Sequence, residues 1–336
     1  MAETEILTGD ALAVKRWSDR TFVEYRADTF FDTQGFIGGP DSIIEEKTEL
    51  NANPGDKVTF GLRMALTGTG VTGDNTMEGN EEAMNYYSCH VTIDQIRNAV
   101  KLKGRMTEQR VAFKLRNDAY DALKIWIGEK KDNALFTALS TSPTKVYYGG
   151  TATSTGTLTA ADLITLNLMS KTKAYAKTAS PKIPPVRIKG KDYYVVVLHP
   201  HCEYDLKISD AKWAQAQREA QVRGDENPLF TGAPGIWDGI VIHSHDNIAI
   251  ASNWGVGANV PGATNLFLGR QAGVIAFGGF RQPKGGRGGV NWVEKDFDYD
   301  NQTGICVGMS KGEAKATFNT KDYACVAIRT ARTNIS

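Results

Sequence analysis

The feature that most constrains this chain is an apolar series that runs at helical spacing for an unusual distance. From Thr107 to about Leu139, the positions Val111, Leu115, Ala119, Ala122 and Trp126 recur at steps of four, four, three and four, and Leu135, Ala138 and Leu139 continue them. Thr107 is a suitable N-cap and Ser142-Pro143 a stop, with only Gly128 to weaken the interval. The spacing predicts one helix of about thirty residues, roughly 45–50 Å long and more than twice the usual globular length. A helix of that length is a spine on which other layers are laid.

What precedes it is not a compact domain. Residues 1–49 are polar, with no period of their own, and are dotted with Trp17, Tyr25, Phe30, Phe31 and Phe36. An aromatic-dotted arm of this kind needs another surface to supply its contacts. Lys57 to Leu62 and Tyr86 to Ile93 alternate as strands. Between them Thr67 to Asn85 is polar and rich in glycine and threonine, so the pair forms a hairpin far longer than compact domains use.

After the spine, a threonine- and glycine-rich linker, Tyr148 to Leu158, leads to a second predicted helix from Thr159 to Thr178. Tyr193 to Leu198 is a buried strand, closed by His199-Pro200. Asp210 to Val222 reads as a helix, Ile236 to Ser244 as a strand, and Asn265 to Phe277 as an apolar segment helical in its second half. Beyond Gly289 the stretches VNWVEKDFDYD, TGICVGMS, KATFN and YACVAIRT read as strands that return to the spine. The class is α+β.

Composition narrows the function. With 39 basic and 38 acidic residues the net charge is +1, which argues against a strongly basic nucleic-acid binder. Cys89, Cys202, Cys306 and Cys325 form no C-x-x-C pair, and scattered cysteines suit a reducing compartment. The opening MAETEILTGD has neither a basic n-region nor an apolar h-region, and no run is long and apolar enough for a membrane helix. Synthesis in the cytosol is expected.

His199 and His201 follow one strand and His243 and His245 end another, and His-x-His is how some metal sites begin. These four carry the alternative of a metal-dependent enzyme, against the plainer reading of strand-end residues that cap backbone groups. Ser244, His245 and Asp246 are consecutive and cannot converge as a triad, and no G-x-S-x-G elbow occurs. The glycine-rich run Gly278 to Gly289 lacks a phosphate-loop ending and reads most plainly as a flexible surface loop, the alternative being that its Arg281, Lys284 and Arg287 approach DNA phosphate or an acidic neighbour. Asp296, Asp298 and Asp300 lack the EF-hand pattern. No catalytic, cofactor or metal constellation emerges, and the unpaired arm and overlong hairpin point instead to self-assembly.

Several motifs then carry a resemblance. They are His199-Pro200 with Tyr204-Asp205-Leu206-Lys207, Asn227-Pro228-Leu229-Phe230-Thr231-Gly232, and Gly235-Ile236-Trp237-Asp238-Gly239. They continue with Leu266 to Gly273 (LFLGRQAG), Trp292 with Glu294 and Lys295, Asp298-Tyr299-Asp300-Asn301, Phe318-Asn319 and Asp322-Tyr323. Together with the order of parts, they make the chain resemble the tailed-phage major capsid proteins of the Hong Kong 97 fold, in particular the N-four-type phage family.

The resemblance implies an N-terminal arm (1–49), an extended loop (50–103), a peripheral domain (104–150 and 286–336) and an axial domain (151–285). It implies hexamers and pentamers closing into an icosahedral shell around phage DNA, with the loop over one neighbour and the arm under another. Portal, scaffold and decoration proteins are the implied partners, and an encapsulin-like cellular compartment is the alternative within the same fold. The inter-subunit candidates are the loop acids Asp74, Glu78, Glu81 and Glu82, the spine cations Lys114, Arg116 and Lys124, and the arm aromatics Trp17, Phe30 and Phe31. No helical pre-domain precedes the spine, so a separate scaffold or none is implied. No lysine lies between Lys57 and Lys101, which removes the amine that the fold's prototype uses for cross-linking.

Overall fold

A computed structural model describes residues 29–51, 55–111, 114–188, 190–210, 212–213, 217, 233–279 and 290–335. Its longest helix is Leu115–Ser140, 26 residues or about 39 Å at 1.5 Å per residue. The helix therefore starts later than the spacing predicts. Arg105–Gln109 forms a separate short helix, and Lys114 is already extended at φ −86°, ψ 95°. The buried stripe is also one residue off the predicted one. Ala119, Leu123 and Ile127 are buried, whereas Ala122 is exposed and Trp126 only half-buried. Packing against the sheet turns Leu123 and Ile127 into the core, and the larger Trp126 packs at its edge. Past Ile127 the buried positions move to Asp132, Leu135, Phe136 and Leu139, so the two halves of the helix bury different faces.

One face rests on a six-stranded sheet in the order Ile37–Gly38, Ile44–Lys47, Gly273–Phe277, Gln302–Lys315, Val290–Phe297. Asp94–Lys101 pairs antiparallel with the central Gln302–Lys315 strand, Lys101 opposite Gly304 and Asp94 opposite Lys311. Gly273–Phe277 and Val290–Phe297 also pair with that long strand, opposite 311–315 and 302–309. The late strands do return to the spine: Tyr120 and Trp292 pack at 5.1 Å and Arg116 pairs with Glu294.

The second sheet has eight strands. Its main path runs Val146–Tyr148, Cys325–Ala331, Val260–Leu268, Lys191–Leu198, Ile240–Ser244, Gly235–Trp237. Every residue from Tyr193 to Leu198 is buried, as the unbroken apolar run requires of a strand covered on both faces. Sheet membership crosses the expected domain limits. Val146–Tyr148 and Cys325–Ala331 belong to the eight-stranded sheet, and Gly273–Phe277, Ile37–Gly38 and Ile44–Lys47 to the six-stranded one.

Three further expectations are corrected. Asn265 to Phe277 contains no helix; it holds parts of two strands, Val260–Leu268 and Gly273–Phe277, because a short, wholly buried apolar run has no period to separate strand from helix. The Ile236 to Ser244 strand is a hairpin, folded at Asp238-Gly239, both left-handed at φ 48° and 69°. The helix expected from Thr159 begins at Leu166, since the Asp162 carboxylate accepts the Thr159 N–H and hydroxyl at 2.8 and 2.9 Å and holds a turn there. His199-Pro200 both closes a strand and opens the helix Pro200–Ser209. Most of the helix expected over Asp210 to Val222 lies outside the described residues.

Candidate assembly surfaces

The hairpin is built from Lys57–Arg63 and Tyr86–Thr92, paired antiparallel from Lys57 opposite Thr92 to Arg63 opposite Tyr86. Its base is anchored. Val58 and Val91 are buried against Val274 and Ala276 of the six-stranded sheet, with Leu50, Phe60, Ile93 and Ala314 packed around them. Gly312 makes this approach possible, because a Cβ there would stand 2.1 Å from the Thr92 carbonyl oxygen. Beyond the strands, residues 64–85 are almost entirely exposed, including Leu66, Met77 and Met84.

The hairpin also staples itself. The Glu82 carboxylate accepts the N–H groups of Thr67 and Gly68 at 2.7 Å each and the Thr67 hydroxyl at 3.1 Å, which holds its carboxyl below the ordinary range. Glu82, expected to face a neighbour, is therefore engaged across its own loop. Glu81 accepts the Gly79 N–H at 2.8 Å. Asp74 and Glu78 stand exposed.

A second anchor holds the end of the arm. Phe31 and Phe36 are wholly buried and Phe30 nearly so. Phe31 packs on Phe136 of the spine at 4.7 Å, Phe36 on His243 at 5.2 Å, and Phe136 stacks on His245 at 4.9 Å. Phe30 donates its N–H to the buried Asp132 carboxylate, whose pKa burial pushes from 3.8 up to about 6. Lys131 pairs with Asp32 at 2.7 Å. Gly128 lets the chain cross the helix here, since a Cβ would meet the Thr29 methyl at 2.8 Å. The expectation that Phe30 and Phe31 contact another copy is thus corrected: both rings belong to their own chain's core. Trp17 lies outside the described residues.

On the spine, Lys114 and Lys124 are exposed, while Arg116 is engaged by Glu294 of its own chain. Arg281, Lys284 and Arg287 lie outside the described residues. The histidines end neighbouring parallel strands, with His243 opposite Val197. The His199 ring accepts the His201 N–H at 3.2 Å, the His201 ring meets Arg332 at 2.7 Å, and the His245 ring accepts the Asn247 N–H at 3.1 Å. Burial pushes His199 down to about 4 and also lowers His245. Among the described residues no three His, Cys, Asp or Glu side chains are placed to hold a metal ion. The anchors at Gly128, Asp132 and Gly312 were not singled out as contacts from sequence; the only signal was an isolated glycine inside a regular pattern.

A spine helix clamped between two sheets, with an anchored hairpin projecting from one of them, defines a structural shell protein of the Hong Kong 97 fold. A model of the family described as phage capsid protein matches residues 5–145 and 138–333, and the chain belongs to that family. It is 30% identical over 367 residues to the major capsid protein of Pseudomonas phage KPP25, covering 94% of each chain. The capsid of Ralstonia phage GP4 superposes with a TM-score of 0.89 at 32% identity over 100% of both chains. The cyanophage Pam1 capsid asymmetric unit shares the fold with a TM-score of 0.80 at 22% identity, again over 100% of both.

Proposed function

We propose that copies of this chain associate as hexamers and pentamers into an icosahedral shell enclosing double-stranded phage DNA, with no catalytic step of their own. The observation that carries this reading is the hairpin: its base is buried, its outer part is stapled by Glu82, yet residues 64–85 present Leu66, Met77 and Met84 to solvent. A rigid projection tipped with apolar side chains gains its burial from another copy. Each specific contact of such a shell buries on the order of 1,000 Å² or more, and many moderate contacts add through multivalency.

In this reading the six-stranded sheet with the spine forms the peripheral part of the subunit and the eight-stranded sheet the axial part around each capsomer centre. The hairpin overlies a neighbour, with Asp74, Glu78 and Glu81 near Lys114 or Lys124 of that copy, and the arm reaches under another. Portal, scaffold and decoration proteins complete the particle, and the chain is made in the host bacterial cytoplasm. Contacts within the lattice are non-covalent, since the loop carries no lysine.

Deleting residues 67–79 tests the hairpin's role. The body should fold, because Val58 and Val91 remain docked, while assembly into particles fails. Assembly equal to the parent's would remove the hairpin from the inter-subunit contacts.

A further inference from the structure

The near-neutral charge of the chain hides a segregated basic surface. Residues 163–191 contain seven Lys or Arg and no Asp or Glu, in a protein whose acids and bases are matched 38 to 39. Within this segment the helix Leu166–Thr178 buries Leu166, Leu168, Met169, Thr172 and Ala176. Its outward side, which carries Asn167, Lys171, Ala174 and Lys177, is neutral or cationic throughout.

Some of these cations are already engaged. Lys173 pairs with Asp238 at 2.7 Å and Arg187 with Asp192 at 3.0 Å. Lys171, Lys177 and Lys182 are exposed, and other elements add to the same face. Lys145 lies over the rings of both Tyr147 and Tyr175 at 5.1 Å, and Lys171 over the Tyr147 ring at 5.6 Å. Stacking on an aromatic face limits the freedom of a lysine stem while leaving its ammonium group in reach of solvent. A cavity of about 160 Å³ beside Tyr175 is lined by Lys145, Lys321, Ser180 and Tyr323. The acid at its wall, Asp322, is held by Lys315 at 2.8 Å and by the Thr144 N–H at 2.8 Å.

We propose that this face, centred on Lys145, Lys171, Lys177 and Lys182, binds the phosphate backbone of duplex DNA inside the shell. The proposal rests on the reading of the chain as a shell around DNA. Among the described residues the acids beside this surface, Asp238, Asp192 and Asp322, are already paired with cations, while its lysines, two of them ordered over tyrosine rings, are complementary to a polyanion, which favours sequence-independent phosphate contact.

The test compares the parent with a K171Q/K177Q/K182Q variant, both as unassembled subunits or capsomers so that the inner face is open to added DNA, using a fluorescent duplex and anisotropy titrations over a series of NaCl concentrations. Each lost phosphate contact makes the plot of log affinity against log salt shallower by about 0.9. The variant should therefore lose about 2–3 units of slope, while still forming particles in the microscope. A K171R/K177R/K182R variant should keep the parental slope. An unchanged slope in the glutamine variant, or a parent that binds no duplex, overturns the proposal without touching assembly. Loss of particles in that variant also overturns it, and makes the face a contact between copies. Failure of the shell reading itself would show separately, as a parent that forms no particles.

Discussion

Asp132 is the only group among those described that is both buried and placed to hold the arm on the spine through a carboxylate, and its replacement by asparagine has a calculable consequence. Burial raises its pKa from 3.8 to about 6, against the opposing influence of the Phe30 N–H and Lys131. A shift of about two units corresponds to a ceiling of about 3 kcal/mol, at about 1.4 kcal/mol per unit. The folded pKa lies above the unfolded one, so the native chain binds this proton more tightly. No cost exists below the unfolded value of 3.8; it grows as pH rises towards 6 and is complete above it.

Asparagine keeps an oxygen to accept the Phe30 N–H and removes the charge. It also places an amide where Asp132 Oδ1 already has no partner, a cost of about 1–3 kcal/mol that does not depend on pH. The absolute stabilities at neutral pH should therefore be similar, while the difference between variant and parent moves in the variant's favour by up to about 3 kcal/mol between pH 4 and 7. Urea unfolding of the soluble protein, followed by tryptophan fluorescence at several pH values, measures that difference directly. A flat difference would refute the buried, proton-binding carboxyl. A difference running the other way would mean that Lys131 stabilises the ionised form.

Two other outcomes are expected. Gly312→Val puts a side chain where a Cβ already meets the Thr92 carbonyl at 2.1 Å. It should free the hairpin base at a cost of about 1–3 kcal/mol, and limited proteolysis should then cut within residues 50–63 and 86–93 faster than in the parent. Assembled particles boiled in detergent without reductant should give a single band at the 36.6 kDa monomer; a ladder of covalent oligomers would refute the non-covalent lattice.

The parts of the fold legible in sequence were those whose burial imposes a period. Lys57–Arg63 and Tyr86–Thr92 alternate because only one side of each meets the sheet, and Tyr193–Leu198 is unbroken because both of its faces are covered. The spine helix was legible, but its face was not: Ala122 and Trp126 lie close to the same stripe as Leu123 and Ile127, and packing against the sheet decides between them. Gly273–Phe277 was missed as a strand because its partners, Ile44–Lys47 and 311–315, are far away in sequence. The same distance hid the fate of the site candidates. Glu82 finds Thr67 and Gly68 across the hairpin, and Phe30 finds Asp132 more than a hundred residues on. An acid in a loop or an aromatic in an arm announces a contact in sequence, but whether the partner is the same chain or another depends on tertiary geometry.

Self-assembly is the central claim, and electron microscopy of the purified full chain, paired with light scattering on the same sample, tests it most directly. Closed particles or hexameric capsomers at micromolar concentration are predicted, with the 67–79 deletion reduced to smaller species. A compact monomer in the parent at every salt concentration would contradict the account.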